Sequence, residues 1–499
     1  PHRPVPQALF DMTAMVHQLT RYPDGVRIDN LVAGKIQRPI QGRYKDRQDP
    51  ADRSRVTSTA PLSTASDVAA AVDAAVKAAV RWNHSTIASR VEVISSFIDH
   101  IERRRGELVG MIVAEVGKPA HEAHVEVERS LQEARSFFAI AASLDDQQTD
   151  SGLVQARPLG TVGLITAWNF PLAIICRKLI PALLAGNTVV IKPSELAPGA
   201  AAILGAAACE SGLPDGVVNI VYGTGPEAGA HLIDDQRIAA VSFTGSTSTG
   251  RGFAPRLAAR GARIQLEMGG KNAAIVLADA DLDRVCVDLA AASFTCSGQW
   301  CTGTGLVVAH EPIADELVDR LHRLVDGIRV GDGRDSNTTM GPLIEPAAVE
   351  RVSDLLKPLD GGALYQPELP ELPVGNYLAP AIVHDVAIGH RLSTEELFAP
   401  VLVVHRADDL DAALSIVERS RYGLSSSIYT DDIGAQETYL RRARTGLVHV
   451  NLPTPFRGFD MPSGGWGDSG DGEPESSSWG LRFFTRHRAV YRLSGPFRG

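Results

Sequence analysis

GTVGLITAWNFPLAIICRKLIPALLAGNTVVIKPSE, residues 160–195, decides the fold. Its opening, GTVGLITA, has the short apolar run of a buried strand. PLAIICRKLIPALLAG then reads as a helix that stops at Gly186, and TVVIKP as a second strand. The alternation continues downstream. GAAAILGAAACESG is a helix, GVVNIVYG a strand and PEAGAHLI a short helix; IAAVSFTG is a strand, TGRGFAPRLAARG a helix and RIQLEMGG a strand. Apolar strands separated by helices specify a parallel sheet covered on both faces. Ligands of such sheets bind at the carboxyl ends of the strands.

Upstream, residues 64–140 are helix-rich. TASDVAAAVDAAVKAAVRW follows an N-cap Thr or Ser, and RVEVISSFIDHIERRRGELVGMIVAEVG reads as one long helix with a solvated Arg/Glu face. Downstream, a second α/β series begins at NAAIVL (272–277) and runs through GLVVAH and IADELVDRLHRLVDGIRVGD. MPSGGWGDSGDGEPESSS (461–478) reads as a loop or linker, and LRFFTRHRAVYRL as a terminal strand or short helix that docks elsewhere. The fold class is therefore α/β, with 499 residues for two or three domains. The formal charge of −10 argues against a nucleic-acid or anionic-membrane binder. No apolar run approaches the roughly 20 residues of a membrane span, and the first residues show no secretion signal. Five cysteines, an odd number, suit a reducing cytoplasm.

Five stretches could carry chemistry. SFTGSTSTG (242–250) passes from a strand through Gly245 and Ser246 into a helix, an arrangement that turns backbone N–H groups toward a phosphate. YGTGPEAG (222–229) is a second such turn, or merely a turn. VIKPSE sets Lys192 and Glu195 past a strand end, where a carboxylate can accept both hydroxyls of a ribose; they read equally as surface charges. QLEMGGKN ends a strand on Glu267, a general-base candidate or a capping carboxylate. FTCSGQWC (294–301) holds Cys296 and Cys301. A disulfide needs an oxidising compartment, and no CxxC or HxxxH pattern supplies a metal site. A nucleophile or an inert core thiol remain.

Taken in order, WNFP (168–171), KPSE (192–195), FTGST (243–247), LEMGGKN (266–272), GQWC (298–301), EELFAPV (395–401) and PSGG (462–465) resemble the NAD(P)-dependent aldehyde dehydrogenase superfamily, over roughly residues 25–490. The resemblance implies a Rossmann-like cofactor domain (1–127 and 151–266), a catalytic α/β domain (267–455) and a small β extension (128–150 and 479–499) that joins subunits into a dimer or tetramer. It makes Cys301 the nucleophile, Asn169 the side-chain donor to the oxyanion and Glu267 the base for hydrolysis. Lys192, Ser194 and Glu195 match the adenosine-ribose site; Gly225, Gly245 and Ser246 the pyrophosphate; Gly269 and Gly270 the nicotinamide amide; Glu396 and Phe398 its ribose and ring. Thr166, Ala167, Trp168 and Phe243 line the same cofactor. Glu195 would repel a 2′-phosphate, so NAD is expected ahead of NADP. No metal is implied.

This chain also departs from the family pattern. Ala167, Ala399 and Ser463 replace a Pro, a Gly and a Phe, and WGDSGDGEPE (466–475) diverges most. Arg177 resembles the carboxylate-binding Arg of succinate-semialdehyde dehydrogenases, although a neighbouring acid could pair with it instead. The second Arg of that branch is here Thr295. The loop VNLPTPFRGFDMP (450–462) resembles that of ketoglutarate-semialdehyde dehydrogenases and offers Arg457 from the other wall. A small anionic aldehyde (a semialdehyde, phospho-aldehyde or phosphono-aldehyde) held by Arg177 and Arg457, with Thr295 and Trp300 beside it, is the expected substrate; the alternatives are a general aliphatic or aromatic aldehyde with Arg177 structural, and a catalytically silent family member.

Overall fold

A computed structural model describes residues 24–492 apart from 358 and 360. The start of the expected cofactor domain and the last seven residues of the expected extension lie outside the described residues.

The first large sheet, in the expected cofactor domain, is built on five parallel strands: β1 (Thr161–Ile165), β2 (Thr188–Lys192), β3 (Val218–Ile220), β4 (Ile238–Gly245) and β5 (Arg263–Met268). Their spatial order is β5-β4-β1-β2-β3, so the direction of winding reverses between β1 and β4. A crevice opens at such a reversal, outside the carboxyl ends of the two strands. Antiparallel strands edge the sheet: Asn30–Val32 lies on β3 and Gly470–Asp471 on β5. Pleating sends Val189 and Ile191 into one core, under the helices Ala120–Ile140 (α1) and Ala173–Leu184 (α2). Val190 points the other way, to a core closed by the helices Ala65–Trp82 and Thr247–Ala258.

The second large sheet, in the expected catalytic domain, repeats the plan. Its parallel strands are β6 (Asn272–Val276), β7 (Thr304–His310), β8 (Ala381–His384), β9 (Val401–Ala407), β10 (Ser425–Tyr429) and β11 (Leu447–Val450), in the order β8-β9-β7-β6-β10-β11. Ala274 and Val276 face one core, Ala273 and Ile275 the other. A third sheet, antiparallel, joins Gln147–Thr149, Gly152–Pro158 and Thr485–Val490.

Four expectations change. The helix read through 90–117 is two, Ile87–Arg103 and Arg105–Val116, because Arg104 leaves helical geometry (φ −99°, ψ 16°). The boundary at 128–150 falls inside α1, which buries Leu131, Ala134 and Phe137 in the cofactor core, whereas residues 152–158 belong to the third sheet. The chain end contains both expected elements: Ser477–Phe483 is a helix whose Leu481 and Phe483 join the cofactor core, and a strand follows. Lastly, 461–478 is no linker. Gly470 and Asp471 pair with Glu267 and Leu266, Ser469 accepts from Met268 and Glu475 is buried. Its glycines serve close approach: a Cβ on Gly465 would come within 2.6 Å of Ser469.

Candidate active site

The switch-point crevice is lined by the ends of β1, β2 and β4. Thr166 N–H donates to Lys192 O (3.2 Å), which ties the ends of β1 and β2 together. The Thr166 hydroxyl is buried without a hydrogen-bond partner. Lys192 is also buried; its Nζ donates to Pro193 O (3.0 Å) and faces Glu195 Oε2 (3.3 Å). Burial lowers the pKa of this ammonium against the pull of Glu195. Ser194 is buried and accepts from Leu196 N–H. At the end of β4, Ser246 caps the helix Thr247–Ala258 and accepts from Thr249 N–H. Gly245 leaves room for the ring of Phe243, which a Cβ would meet at 2.5 Å. Gly225 faces open space. An orphaned hydroxyl, a buried cation and a helix N-terminus across one crevice fit a dinucleotide.

Trp168 meets Phe398 edge to face at 5.5 Å. Phe398 is left-handed (φ 51°). Glu396, two residues earlier, is drawn over Gly269 so closely that no Cβ would fit there, and it accepts from Gly270 N–H (3.1 Å). Burial raises the Glu396 carboxyl to about 7.

The cysteine segment follows the helix Leu282–Phe294, which Asp281 caps. It then makes one tight turn, in which Cys296 and Ser297 are both left-handed at φ 56°. Such a conformation costs about 1–3 kcal/mol per residue and persists only where its surroundings hold it. Here they do. Cys296 N–H donates to Glu122 Oε2 (2.9 Å) and Ser297 Oγ to Gly341 O (2.8 Å). Gln299 binds Cys296 O and Ile344 N–H, and Asn272 Nδ2 donates to Cys301 O (2.7 Å). Asn169 is buried, with its amide donating to Gln299 O (2.9 Å), so it reaches the chain two residues before Cys301. Trp300, half-buried, packs on Phe170 at 5.3 Å, and Thr295 sits half-buried at the helix junction.

Cys301 is half-buried, and the other cysteines are free as well. Burial pushes its thiol up to about 11; Arg177 and Arg457 pull it down, while Glu396 and Glu267 add to the rise. Glu267 ends β5 beside Gly464, and its carboxyl is raised well above the usual range by burial and by Glu475. Burial thus disfavours the charged form of both side chains.

The two expected substrate arginines do converge, but on a residue that the sequence reading missed. Arg177 grips Glu133 with two donors (Nε 2.9 Å, Nη2 3.2 Å), and Arg457 Nη2 reaches the same carboxylate at 2.9 Å. Ser476 Oγ donates to it too (2.8 Å). Burial alone would raise Glu133; the two guanidiniums outweigh it and hold the carboxyl at about 2. Arg177 is therefore not an unpaired guanidinium. Beside this triad, Lys178 pairs with Glu475. A signal for Glu133 did exist. Glu122, Glu126 and Glu133 fall at helical spacing on the same side of α1 as Ala123, Val127, Leu131 and Ala134, and carboxylates on an apolar stripe need partners.

Glu126 has its own task. It pairs with buried Lys118 (2.6 Å) and accepts from Leu172 N–H (3.1 Å) and Ala173 N–H (3.4 Å) at the start of α2. Glu122 and Glu126 together tie α1 to both the cysteine turn and the helix that follows Asn169.

Residues 39–490 match the family model "Aldehyde dehydrogenase family". The alpha-ketoglutarate semialdehyde dehydrogenase of Haloferax volcanii is 33% identical over 93% of this chain and 98% of its own. The 2,5-dioxopentanoate dehydrogenase of Saccharolobus solfataricus is 34% identical over 89% and 95%. Among solved structures, lactaldehyde dehydrogenase from Escherichia coli superposes with a TM-score of 0.89 at 32% identity, covering 94% of this chain and all of that one. An NAD-dependent aldehyde dehydrogenase from Sinorhizobium meliloti reaches 0.91 at 30%, covering 98% and 99%. This chain therefore belongs to the aldehyde dehydrogenase family, as an NAD(P)-dependent oxidoreductase of aldehydes.

Proposed function

We propose that the enzyme oxidises a small aldehyde carrying one carboxylate to the corresponding acid. One observation carries this reading: beside Cys301, two guanidiniums face one carboxylate, while Lys178 is matched by Glu475. One positive charge is left over. A semialdehyde carboxylate is its natural complement.

Cys301 attacks the aldehyde carbon as a thiolate, and its proton passes to an ionised Glu267. The Asn169 amide and the Cys301 backbone N–H donate to the oxyanion, a contribution typically worth a few kcal/mol. A bound NAD(P)+ would supply the acceptor for the hydride of that carbon. Glu267 releases the thiol's proton to solvent; water then cleaves the thioester left on Cys301, and Glu267 takes the water's proton and returns it to the departing thiolate, so the thiol is restored. A base at this position favours hydrolysis over acyl transfer to CoA. Thr166, Ala167, Trp168, Lys192, Ser194, Glu195, Gly225, Phe243, Gly245 and Ser246 would hold the dinucleotide, with Gly269, Gly270, Glu396 and Phe398 at its nicotinamide end. Glu195 favours NAD over NADP. Thr295 and Trp300 complete the substrate pocket. We place the enzyme in a reducing cytoplasm as a homodimer or homotetramer, joined through the exposed edge strand Thr485–Val490. No helix among the described residues is long and apolar enough to cross a membrane.

The test is an NADH-formation assay on succinic semialdehyde and propanal. Arg177→Leu should raise KM for the semialdehyde and leave that for propanal nearly unchanged; equal losses would overturn the carboxylate reading. A second reading, an uncharged hydroxyaldehyde, has its own support, because Glu133 already engages both guanidiniums. It requires wild type to show no preference for the semialdehyde. Loss of aldehyde-dependent NADH formation in Cys301→Ala separates either reading from a catalytically silent family member.

A further inference from the structure

We propose that Glu133 sets the charge of substrate that the enzyme accepts, by cancelling one of the two guanidinium charges in the pocket. This deepens, and rests on, the reading that Arg177 and Arg457 face the substrate.

Consider first what Glu133 costs. It lies in the middle of α1 with its side chain 3% exposed, between Arg177 at 16% and Arg457 at 15%. A buried carboxylate is expensive unless paired and fully hydrogen-bonded. Glu133 meets that condition. Oε1 takes Arg177 Nε and Ser476 Oγ; Oε2 takes Arg177 Nη2 and Arg457 Nη2. Four donors saturate it, so it does not depend on substrate. Its partners are not saturated. Arg177 Nη1 lies 3.8 Å from a carboxylate oxygen of Glu475, and Glu475 is already committed to Lys178. Arg457 Nη1 has a long bond to Ser463 Oγ (3.3 Å).

The neighbouring groups leave the charge uncancelled. Burial and Glu475 raise the Glu267 carboxyl well above the usual range, which disfavours its negative charge. Arg129, on the next turn of α1, lies over the ring of Phe459 at 5.0 Å and donates to the backbone of Arg457. It holds the loop, and its own cation lies within electrostatic range of Glu133 and Arg177. With Glu133 ionised, Arg177 and Arg457 keep one positive charge between them. Without it they would carry two, within electrostatic range of Cys301. A substrate carboxylate matches the first case. A phosphate or phosphonate dianion matches the second, and in the present pocket it must face a fixed carboxylate. Like charges a few ångströms apart in a partly dry site discriminate strongly.

The experiment compares kcat/KM of the full-length enzyme for propanal, succinic semialdehyde and glyceraldehyde 3-phosphate, in wild type, Glu133→Gln and Glu133→Asp. The expected result is that Glu133→Gln raises the phosphoaldehyde-to-propanal ratio about tenfold or more, one unit charge at an intermediate dielectric being worth at least that factor. The change should appear mainly in KM. Glu133→Asp, which keeps the charge, should retain the wild-type order. A Glu133→Gln that lowers all three substrates in proportion makes Glu133 merely structural and overturns the proposal. Should Glu133→Gln not fold, wild type alone still decides, since a phosphoaldehyde used as well as the semialdehyde overturns it. A wild type that prefers propanal to the semialdehyde defeats the substrate reading instead, and the Glu133→Gln ratio still reports on Glu133.

Discussion

Glu126 and Glu133 sit two turns apart on one helix, both buried and both bound to cations, yet they do different things. Glu126 meets one ammonium, Lys118, and two backbone amides, so its charge is matched. Glu133 meets two guanidiniums and leaves a surplus. A balanced buried pair costs much to break and little to ignore, so it positions backbone. An unbalanced one keeps part of its field for a ligand. The balanced pair anchors the helix after Asn169, and the unbalanced cluster faces Cys301. The difference teaches that burial of charge alone does not mark a substrate site; the count of partners does.

The largest effect should come from breaking the balanced pair. Glu126→Ala strands the Lys118 ammonium in the core and leaves two amides of α2 without an acceptor. Losses of about 3–5 kcal/mol follow from such a change. Denaturant unfolding should show it as a lower midpoint with unchanged slope, and activity should fall in the same proportion for charged and neutral aldehydes. A shift confined to anionic substrates would erase the contrast between the two acids.

Next comes the unbalanced cluster. Arg177→Leu should raise KM for succinic semialdehyde about tenfold to a hundredfold, the worth of a hydrogen bond to a charged group. The same change acts on Cys301. Its thiol is pushed up to about 11 by burial and pulled back by Arg177 and Arg457. Below that pH the thiolate fraction rises about tenfold per unit, so alkylation by iodoacetamide should climb steadily from pH 6 to 9. Removing Arg177 removes a lowering influence, raises the thiol pKa further and must slow alkylation at every pH in that range. Unchanged alkylation in Arg177→Leu would mean that the arginine does not sense the nucleophile. Glu267 adds a second rising limb, because its raised carboxyl becomes a base only as pH increases.

The same contrast explains what could be read from the chain. Strands such as TVVIK and helices such as AIICRKLIPALL are apolar and regular, and both sheets follow from their alternation. The candidate residues carried by short motifs come near one another: Asn169 binds the chain two residues before Cys301, and Glu267 is within electrostatic range of that thiol. What stayed hidden is pairing across distance. Arg177 could be read as a carboxylate binder, but its partner Glu133 lies 44 residues earlier and is reached only when α1 packs on α2. The segment 466–475 was opaque for a related reason. Its Gly, Ser and acidic residues look like solvent-exposed loop, whereas Ser469 donates to Gly269 O and Glu475 enters the core only because Lys178 receives it. Polar residues buried by mutual pairing leave no periodic trace.

The smallest effect tests whether the balanced side of α1 also tunes chemistry. Glu122 accepts from the N–H of Cys296, one of two residues held left-handed in the cysteine turn. Burial raises its carboxyl to about 7, with Lys118 and the Cys296 N–H opposing the rise. Glu122→Gln keeps the size and an acceptor oxygen but loses the charge, and the bond to Cys296 weakens by about 1 kcal/mol. The turn should then hold Cys301 less firmly. We expect a fewfold fall in kcat for every aldehyde, KM ratios between charged and neutral substrates unchanged, and a smaller pH dependence near 7, where only the wild-type carboxyl titrates. Stopped-flow NADH formation across pH 6 to 8 measures all three. A change in the charged-to-neutral ratio would place Glu122 with Glu133 and not with Glu126, and the division of labour along this helix would have to be redrawn.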